Sequence, residues 1–128
     1  MPFDNENKLA VWNKSSIVEG FDPVKYRKDP CGAWIIFDEY KNTDNIYGWE
    51  IDHIYPKSLL EKKGFAPEII GDIKNLRAMQ WENNRAKDND YPTYQSVVSS
   101  ENNKNIHIEK SLTVNAKIQK TLEKLYKL

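Results

Sequence analysis

The sequence contains a single cysteine, Cys31, and this scarcity excludes two kinds of site. An intrachain disulfide needs two cysteines, and a structural zinc site of the four-cysteine kind needs four. Any metal bound by this chain must therefore be held by oxygen and nitrogen ligands. Cys31 itself is expected to be a small buried apolar residue rather than a reactive thiol.

Long apolar runs are also missing. A helix that crosses a bilayer needs about 20 apolar residues, and no run of that length occurs. Residues 1–8 are polar and mixed in charge, whereas a secretory signal has a basic start followed by an apolar stretch. We therefore expect a cytoplasmic protein with no membrane partner.

The chain has no excess of either charge, with 19 basic and 19 acidic residues. It therefore has no overall field that would attract a polyanion. The distribution is uneven, because residues 1–55 carry 6 basic and 10 acidic side chains while residues 104–128 carry 6 and 2. The basic C-terminal end permits contact with nucleic acid, although a lysine-rich helix is more often simply a solvated face.

Size and composition predict one α+β domain over residues 1–128. Hydrophobic residues make up 39% and charged residues 30%, as in ordinary globular proteins, and no repeat or linker is visible. Residues 5–16 fit a helix or an extended arm equally well. Residues 32–37 are rich in β-branched and aromatic side chains, which favours a strand or buried segment.

A strand, loop, strand, helix unit is predicted in the middle of the chain. Residues 48–54 alternate apolar and polar side chains, residues 57–74 suggest a long loop, residues 75–81 alternate again, and residues 82–88 favour a helix. A polar spacer over residues 99–105 follows. The C-terminal stretch then carries Val114, Ile118, Leu122 and Leu125 at helical spacing, which predicts an amphipathic helix.

Four polar residues fall at special places on this unit. Asp52 and His53 end the first strand, Asn75 begins the second, and Asn84 lies on the helix. Hydrolysis of a phosphodiester needs a cation to stabilise the transition state and a base to deprotonate water. Aspartate and asparagine oxygens suit Mg²⁺ or Mn²⁺, and a neutral imidazole can be the base.

The order and spacing of these residues resemble a known family. The segments Trp49-Glu50-Ile51-Asp52-His53-Ile54-x-Pro56, Asn75-Leu76 and Asn84-Arg85-x-Lys87 are similar to the motifs of HNH endonucleases. The similarity covers residues 49–90 and extends weakly to residues 26–32. It implies a ββα-metal finger at about residues 48–92. Many members hold a structural zinc with cysteine pairs, which this chain lacks, so packing around Trp34, Trp49 and Trp81 is expected to stabilise the finger instead.

The resemblance also implies a role for each residue of the motif. Asp52 and Asn84 would bind the metal, Mg²⁺ with Mn²⁺ as an alternative, and His53 would be the general base. Asn75 would hold the loop that orients His53. Asn83 competes with Asn84 for the metal, because a shift of one helical position turns a side chain by about 100°. Asn84 is preferred because it directly precedes Arg85, as the motif requires.

Basic residues near the motif are candidates for contact with nucleic acid. The resemblance implies that Arg85 and Lys87 face phosphates, and Lys57 and Arg77 are further candidates in the loop and the second strand. His107 has no motif around it and is expected to be structural or exposed.

These features together predict a metal-dependent endonuclease that hydrolyses DNA and leaves a 3′-hydroxyl, as the family chemistry implies. Double-stranded DNA is the expected substrate, with RNA left open, and a homodimer or a partner protein would help to engage it. Two alternatives remain. One is a nucleic-acid-binding or assembly module that keeps the finger without cutting, and the other is a nuclease toxin controlled by a partner.

Overall fold

The described chain, residues 5–128 of a computed structural model, forms five α-helices and three two-stranded antiparallel sheets. In chain order the elements are α1 (Asn5–Trp12), β1 (Tyr26–Lys28), β2 (Trp34–Ile36), β3 (Trp49–His53), α2 (Lys57–Lys62), α3 (Pro67–Ile70), β4 (Leu76–Gln80), α4 (Trp81–Lys87), β5 (Thr93–Glu101), β6 (Lys104–Thr113) and α5 (Ala116–Tyr126). Short 3₁₀ turns occur at Phe37–Glu39 and Ile73–Asn75. The predicted mixture of helices and strands is confirmed, and none of the described helices is long and apolar enough to cross a membrane.

The β3–β4 pair lies at the centre of the fold. In its register Asp52 is opposite Arg77, and His53 is opposite Leu76. α4 begins directly after β4, because the Gln80 side chain accepts a hydrogen bond from the Asn83 amide at 3.0 Å and caps the helix. The predicted order of strand, strand and helix is therefore present in this part of the chain.

Two apolar clusters cover the two faces of this central pair. The first cluster comprises Val11, Trp12, Ile35, Trp49, Ile51, Leu76 and Ala78. The second comprises Cys31, Ile54, Leu60, Ile70, Met79, Tyr94, Val114, Leu122 and Tyr126. Every residue of β4 is therefore buried. Antiparallel strands more often have one face buried and the other open to water.

The tryptophans contribute unequally to this packing. The ring of Trp49 is fully buried, and its centre lies 5.3 Å from that of Trp12. Trp12 was not among the tryptophans expected to stabilise the finger. Trp34 is buried as well, whereas Trp81 is only partly buried and donates from Nε1 to the Asn45 carbonyl at 2.9 Å. Trp81 therefore contributes a hydrogen bond and partial packing rather than a fully buried ring.

Two segments differ from their predictions. Residues 57–74 are not an irregular loop, because α2 and α3 form there and bury Leu60 and Ile70. Residues 99–105 are not a spacer, because they form the tip of the β5–β6 hairpin, which turns at Asn102 and Asn103. Strands β5 and β6 were not predicted, although Ile106, Ile108 and Leu112 alternate with polar residues along β6.

The C-terminal helix is confirmed and anchors the segment that precedes β4. Asn115 caps α5 by accepting from the Ile118 amide at 2.8 Å, and Leu122 and Tyr126 are buried. The Tyr126 hydroxyl donates to the carbonyls of Ile69 and Ile70 at 2.9 and 3.2 Å. α5 thereby fixes the chain a few residues before Asn75.

Candidate functional site

The end of β3 and one side of α4 line a cavity of about 280 Å³ that is open to solvent, which we call the His53 cavity. It is lined by Ile51, Asp52, His53, Pro56, Lys57, Asn84, Arg85, Asp88 and Asn89. Five of the predicted site residues therefore line a single cavity. Asn75, Arg77 and Lys87 do not line it. Arg77 and Lys87 contact Asp52, which does, and Asn75 binds the backbone of Tyr55, two residues after His53.

Asn75 is fully buried and clamps the chain that follows His53. Its Oδ1 accepts from the Tyr55 amide at 2.7 Å, and its Nδ2 donates to the carbonyls of Tyr55 and Ile70 at 3.1 and 3.3 Å. The Asn75 carbonyl accepts from the Ile54 amide at 2.8 Å. Because an amide side chain both donates and accepts, it holds both backbone polar groups of Tyr55, as neither alanine nor aspartate could. Asn75 therefore fixes the backbone two residues after His53.

His53 is half-buried at the last position of β3. Burial lowers the pKa of its imidazole, the charges of Lys57 and Lys87 lower it further, and the charge of Asp52 opposes them. The ring is therefore mainly neutral at pH 7, and a neutral imidazole can accept a proton. A base poised in this state is what proton abstraction from water requires.

Asp52 is buried and lies between two cations. Its Oδ2 accepts from Arg77 Nε at 3.0 Å, and its Oδ1 lies 3.3 Å from Lys87 Nζ. The first contact follows from the strand register, which places the two residues opposite each other. Lys87 also donates to the His53 carbonyl at 3.1 Å, so one ammonium joins the carboxylate to the backbone of the neighbouring residue.

These contacts correct the expected position of two basic residues. Arg77 is 8% exposed and Lys87 is 0% exposed, so neither faces solvent where a phosphate of nucleic acid would lie. Burial lowers the pKa of Lys87, while Asp52 opposes that shift. A buried ammonium is tolerated because Asp52 compensates its charge. Both residues act on Asp52 rather than on a surface.

Lys57 and Arg85 do lie where the sequence analysis expected them. Lys57 is exposed at the first position of α2, and the Arg85 side chain is 58% exposed. Both line the His53 cavity. Of the four predicted cations, these two can be contacted by a ligand that enters the cavity from solvent.

Asn84 and Asn83 point to different parts of the molecule. Asn84 lines the His53 cavity, and its Nδ2 donates to Glu50 Oε1 at 3.1 Å. Asn83 is fully buried, accepts from the amides of Val97 and Val98 at 2.8 Å, and donates to Asp29. The preference for Asn84 over Asn83 therefore agrees with the geometry, since Asn83 joins α4 to β5 and has no access to the cavity.

Glu50 lies within the first segment of the motif, and no role was predicted for it. Its Oε1 accepts from Asn84 and its Oε2 accepts from Arg85 Nη2 at 3.1 Å. Because Nδ2 of Asn84 is engaged by Glu50, the opposite atom of that amide, Oδ1, is left to other ligands. Glu50 precedes Asp52 by two residues and so lies on the same face of β3. The two-residue period of a strand could therefore have indicated that Glu50 is near the cavity.

The oxygen-rich donors of the cavity fit a hard divalent cation. Asp52 supplies a carboxylate with about four lone-pair sites, of which its two cations occupy two, and Asn84 supplies an amide oxygen. Asp88 also lines the cavity and was not predicted. Among the side chains that the structure describes, no group of three or more His, Cys, Asp and Glu is arranged to hold a metal.

The remaining sequence candidates lie outside the cavity. His107 is exposed and its Nε2 lies 3.1 Å from Glu82 Oε2, in keeping with the expected structural or exposed position. Cys31 is buried, as predicted, and burial raises the pKa of its thiol to about 12. The thiol is therefore protonated and poorly nucleophilic at neutral pH.

Comparison of the chain with protein-family models, with curated protein sequences and with solved structures gives no match.

Proposed function

We propose that the chain is a metal-dependent endonuclease that hydrolyses DNA in the His53 cavity. The observation that carries the proposal is the convergence of Asp52, His53 and Asn84 on one cavity, with Asn75 clamping the peptide after His53. On this proposal β3, β4 and α4 form a ββα-metal finger, and the resemblance to HNH endonucleases supports it.

Each residue has a distinct part in the proposed reaction. The neutral His53 imidazole takes a proton from water as the water oxygen attacks phosphorus, and the 3′-oxygen leaves as the bond to it breaks. Asp52 and Asn84 would hold Mg²⁺ or Mn²⁺, which stabilises charge on the phosphate and on the leaving oxygen when bound. Lys87 holds the His53 carbonyl, and Asn75 holds the backbone of Tyr55 two residues later.

Arg85 and Lys57 would hold the phosphates that flank the bond to be cut. Both are exposed at the cavity, and exposed cations gain affinity for nucleic acid by releasing condensed counterions. With a net charge of zero, the chain should bind DNA weakly and with a strong dependence on salt. A second copy or a partner protein would then help to deliver the substrate.

One observation favours a second candidate, a nucleic-acid-binding module without cleavage. Asp52 is already neutralised by Arg77 and Lys87, and two adjacent cations weaken the attraction of a carboxylate for a metal ion. In that case the cavity would bind phosphates through Lys57 and Arg85 and would leave the bond intact.

Plasmid cleavage separates the two candidates. Supercoiled plasmid is incubated with the protein in Mg²⁺, in Mn²⁺ and in EDTA, and the products are separated on agarose. The endonuclease proposal expects nicked or linear DNA with a divalent ion and none with EDTA. Intact plasmid in every lane, together with retarded migration of a labelled duplex in native gels, would instead support the binding module.

A further inference from the structure

Glu50 contacts the site without having a part in the proposed reaction. Its carboxylate binds Asn84 and Arg85, which line the His53 cavity, but Glu50 does not line the cavity itself. Its side chain is 20% exposed, so water has limited access to the charge. A carboxylate in this position acts on the cavity only through the residues that it holds.

The Glu50 carboxylate decides which way the Asn84 amide is turned. An ionised carboxylate only accepts hydrogen bonds, whereas an amide side chain has a donor end and an acceptor end. The atom of Asn84 that lies 3.1 Å from Glu50 Oε1 is therefore Nδ2. A half-turn of the amide would place Oδ1 against the carboxylate, so that two acceptors would face each other. Oδ1, the oxygen that the proposed metal needs, is thus kept at the end of the amide away from Glu50.

Glu50 is itself fixed from two sides. Its backbone belongs to β3, where it lies opposite Met79 of β4. Its second oxygen, Oε2, accepts from Arg85 Nη2 at 3.1 Å. The Arg85 guanidinium also lies over the ring of Trp81, with its Cζ 5.2 Å from the ring centre. A cation over an indole ring is attracted by the quadrupole of that ring, so Trp81 helps to keep Arg85 beside Glu50.

Trp81 joins this arrangement to the loop before β3. Its Nε1 donates to the Asn45 carbonyl at 2.9 Å. Trp81, Asn84 and Arg85 stand at positions i, i+3 and i+4 of α4, and this spacing places side chains on one face of a helix. One face of α4 therefore carries the ring, the amide and the cation, and Glu50 of β3 binds the last two.

We propose that Glu50 is a positioning residue for the metal ion, which turns Oδ1 of Asn84 toward the ion without touching the ion itself. The inference rests on the proposed function, in which Asn84 binds Mg²⁺ or Mn²⁺. Asn84 is only partly buried, and ordering a mobile side chain on binding lowers affinity. Removal of a group that holds a metal ligand from behind typically weakens metal binding by about 10–100-fold.

The alternative is an ion pair that only joins β3 to α4. The Arg85 side chain is 58% exposed, and ion pairs between exposed groups contribute little to stability. On this alternative, Glu50 would affect a metal ion through its charge alone, and its effect would not depend on Asn84.

Mn²⁺ binding in the absence of DNA tests the inference without testing cleavage. The EPR signal of free Mn²⁺ falls as the ion binds, so a titration gives the dissociation constant. We expect Glu50→Ala to weaken Mn²⁺ binding by about tenfold. Glu82→Ala is the matched control, because Glu82 is 25% exposed and pairs with His107 outside the cavity. It should bind Mn²⁺ as tightly as the unaltered chain, and equal weakening in both variants would contradict the inference.

A double-variant cycle separates the orientation of Asn84 from the charge of Glu50. Asn84→Ala removes the proposed ligand, and Glu50→Ala is then added to it. If Glu50 acts through Asn84, the added substitution has no further effect on Mn²⁺ affinity, because the amide that Glu50 oriented is already gone. If the added substitution weakens binding as much as it does in the unaltered chain, Glu50 acts by its charge, and the positioning role is wrong.

A second measurement uses the unaltered chain alone. In saturating Mg²⁺, one proton of the Asn84 side-chain amide should exchange with water more slowly in NMR spectra than those of Asn103, which is exposed in the β5–β6 turn. Equal exchange at the two side chains would show that Glu50 does not hold the amide, and this reading does not depend on whether Glu50→Ala folds.

Plasmid cleavage reports on the proposed function separately. Dependence of the Glu50 effect on Asn84, without cleavage, would support the positioning role and contradict the endonuclease. Cleavage by a chain in which the two substitutions act independently would do the reverse. Failure of the unaltered chain to bind Mn²⁺ would overturn the positioning role together with the metal site on which it rests.

Discussion

Replacement of Asn75 by alanine should destabilise the fold by removing the clamp behind His53. Three hydrogen bonds are lost, to the amide and carbonyl of Tyr55 and to the carbonyl of Ile70. Ile70 keeps the Tyr126 hydroxyl as a donor, so the two Tyr55 groups bear the main loss. At about 1–2 kcal/mol for each such group, we expect the free energy of unfolding to fall by about 2–4 kcal/mol.

Urea denaturation followed by circular dichroism measures this change, with Asn103→Ala as the control. Asn103 is exposed in the β5–β6 turn, and substitution of an exposed surface residue shifts stability by about 0.5 kcal/mol or less. A typical domain has about 5–15 kcal/mol of stability, so the Asn75 variant should still fold in the cold. A loss no greater than that of Asn103→Ala would refute the clamp.

Three further predictions concern charge in the site. Lys87→Met leaves buried Asp52 with Arg77 alone, so the free energy of unfolding should drop by about 3 kcal/mol, against almost no change for exposed Lys62→Met in urea denaturation. Burial lowers the pKa of His53, so its ¹H–¹⁵N NMR titration should have a midpoint below 6.5, and a midpoint above 6.5 would contradict a base that is neutral at pH 7. Since the unfolded chain then binds this proton more readily than the folded chain, protonation of His53 should lower the free energy of unfolding as pH falls through about 6.5. His53→Ala should lack this part of the pH dependence of stability.

The central strands and α4 could be predicted because their signals are local. The alternation of Trp49, Ile51 and the polar residues between them identified β3, and the order of Asp52, His53 and Asn84 indicated one site. Pro56 and Asn75 marked the limits of the intervening segment. What the pattern could not show was the packing of that segment, where Leu60 and Ile70 become buried only against residues distant in sequence, such as Tyr126.

The burial of Lys87 and Arg77 could not be predicted for a similar reason. Lysine and arginine are mostly exposed, and their sequence neighbours gave no sign of a buried partner. The pairing of Asp52 with Arg77 depends on the register of β3 against β4, and that of Asp52 with Lys87 depends on how α4 packs on the pair. Both are tertiary contacts between residues more than 20 positions apart in sequence, so a local sequence pattern cannot predict them.

The β5–β6 hairpin was missed although β6 has a partial strand pattern. Ile106, Ile108 and Leu112 alternate with polar residues, but Lys110 interrupts the series and no residue of β6 is fully buried. The pairing energy comes from the hydrogen-bonded ladder and from the packing of β5 on α4, where Asn83 binds the amides of Val97 and Val98.

The most direct test of the proposed function compares the two histidines of the chain. Plasmid cleavage rates are measured in Mg²⁺ for the unaltered protein, for His53→Ala and for His107→Ala, which removes the exposed histidine outside the cavity. Loss of a general base should slow cleavage by about 10²-fold or more in His53→Ala, while His107→Ala should cleave at the rate of the unaltered protein. Equal rates for all three proteins would contradict catalysis by His53.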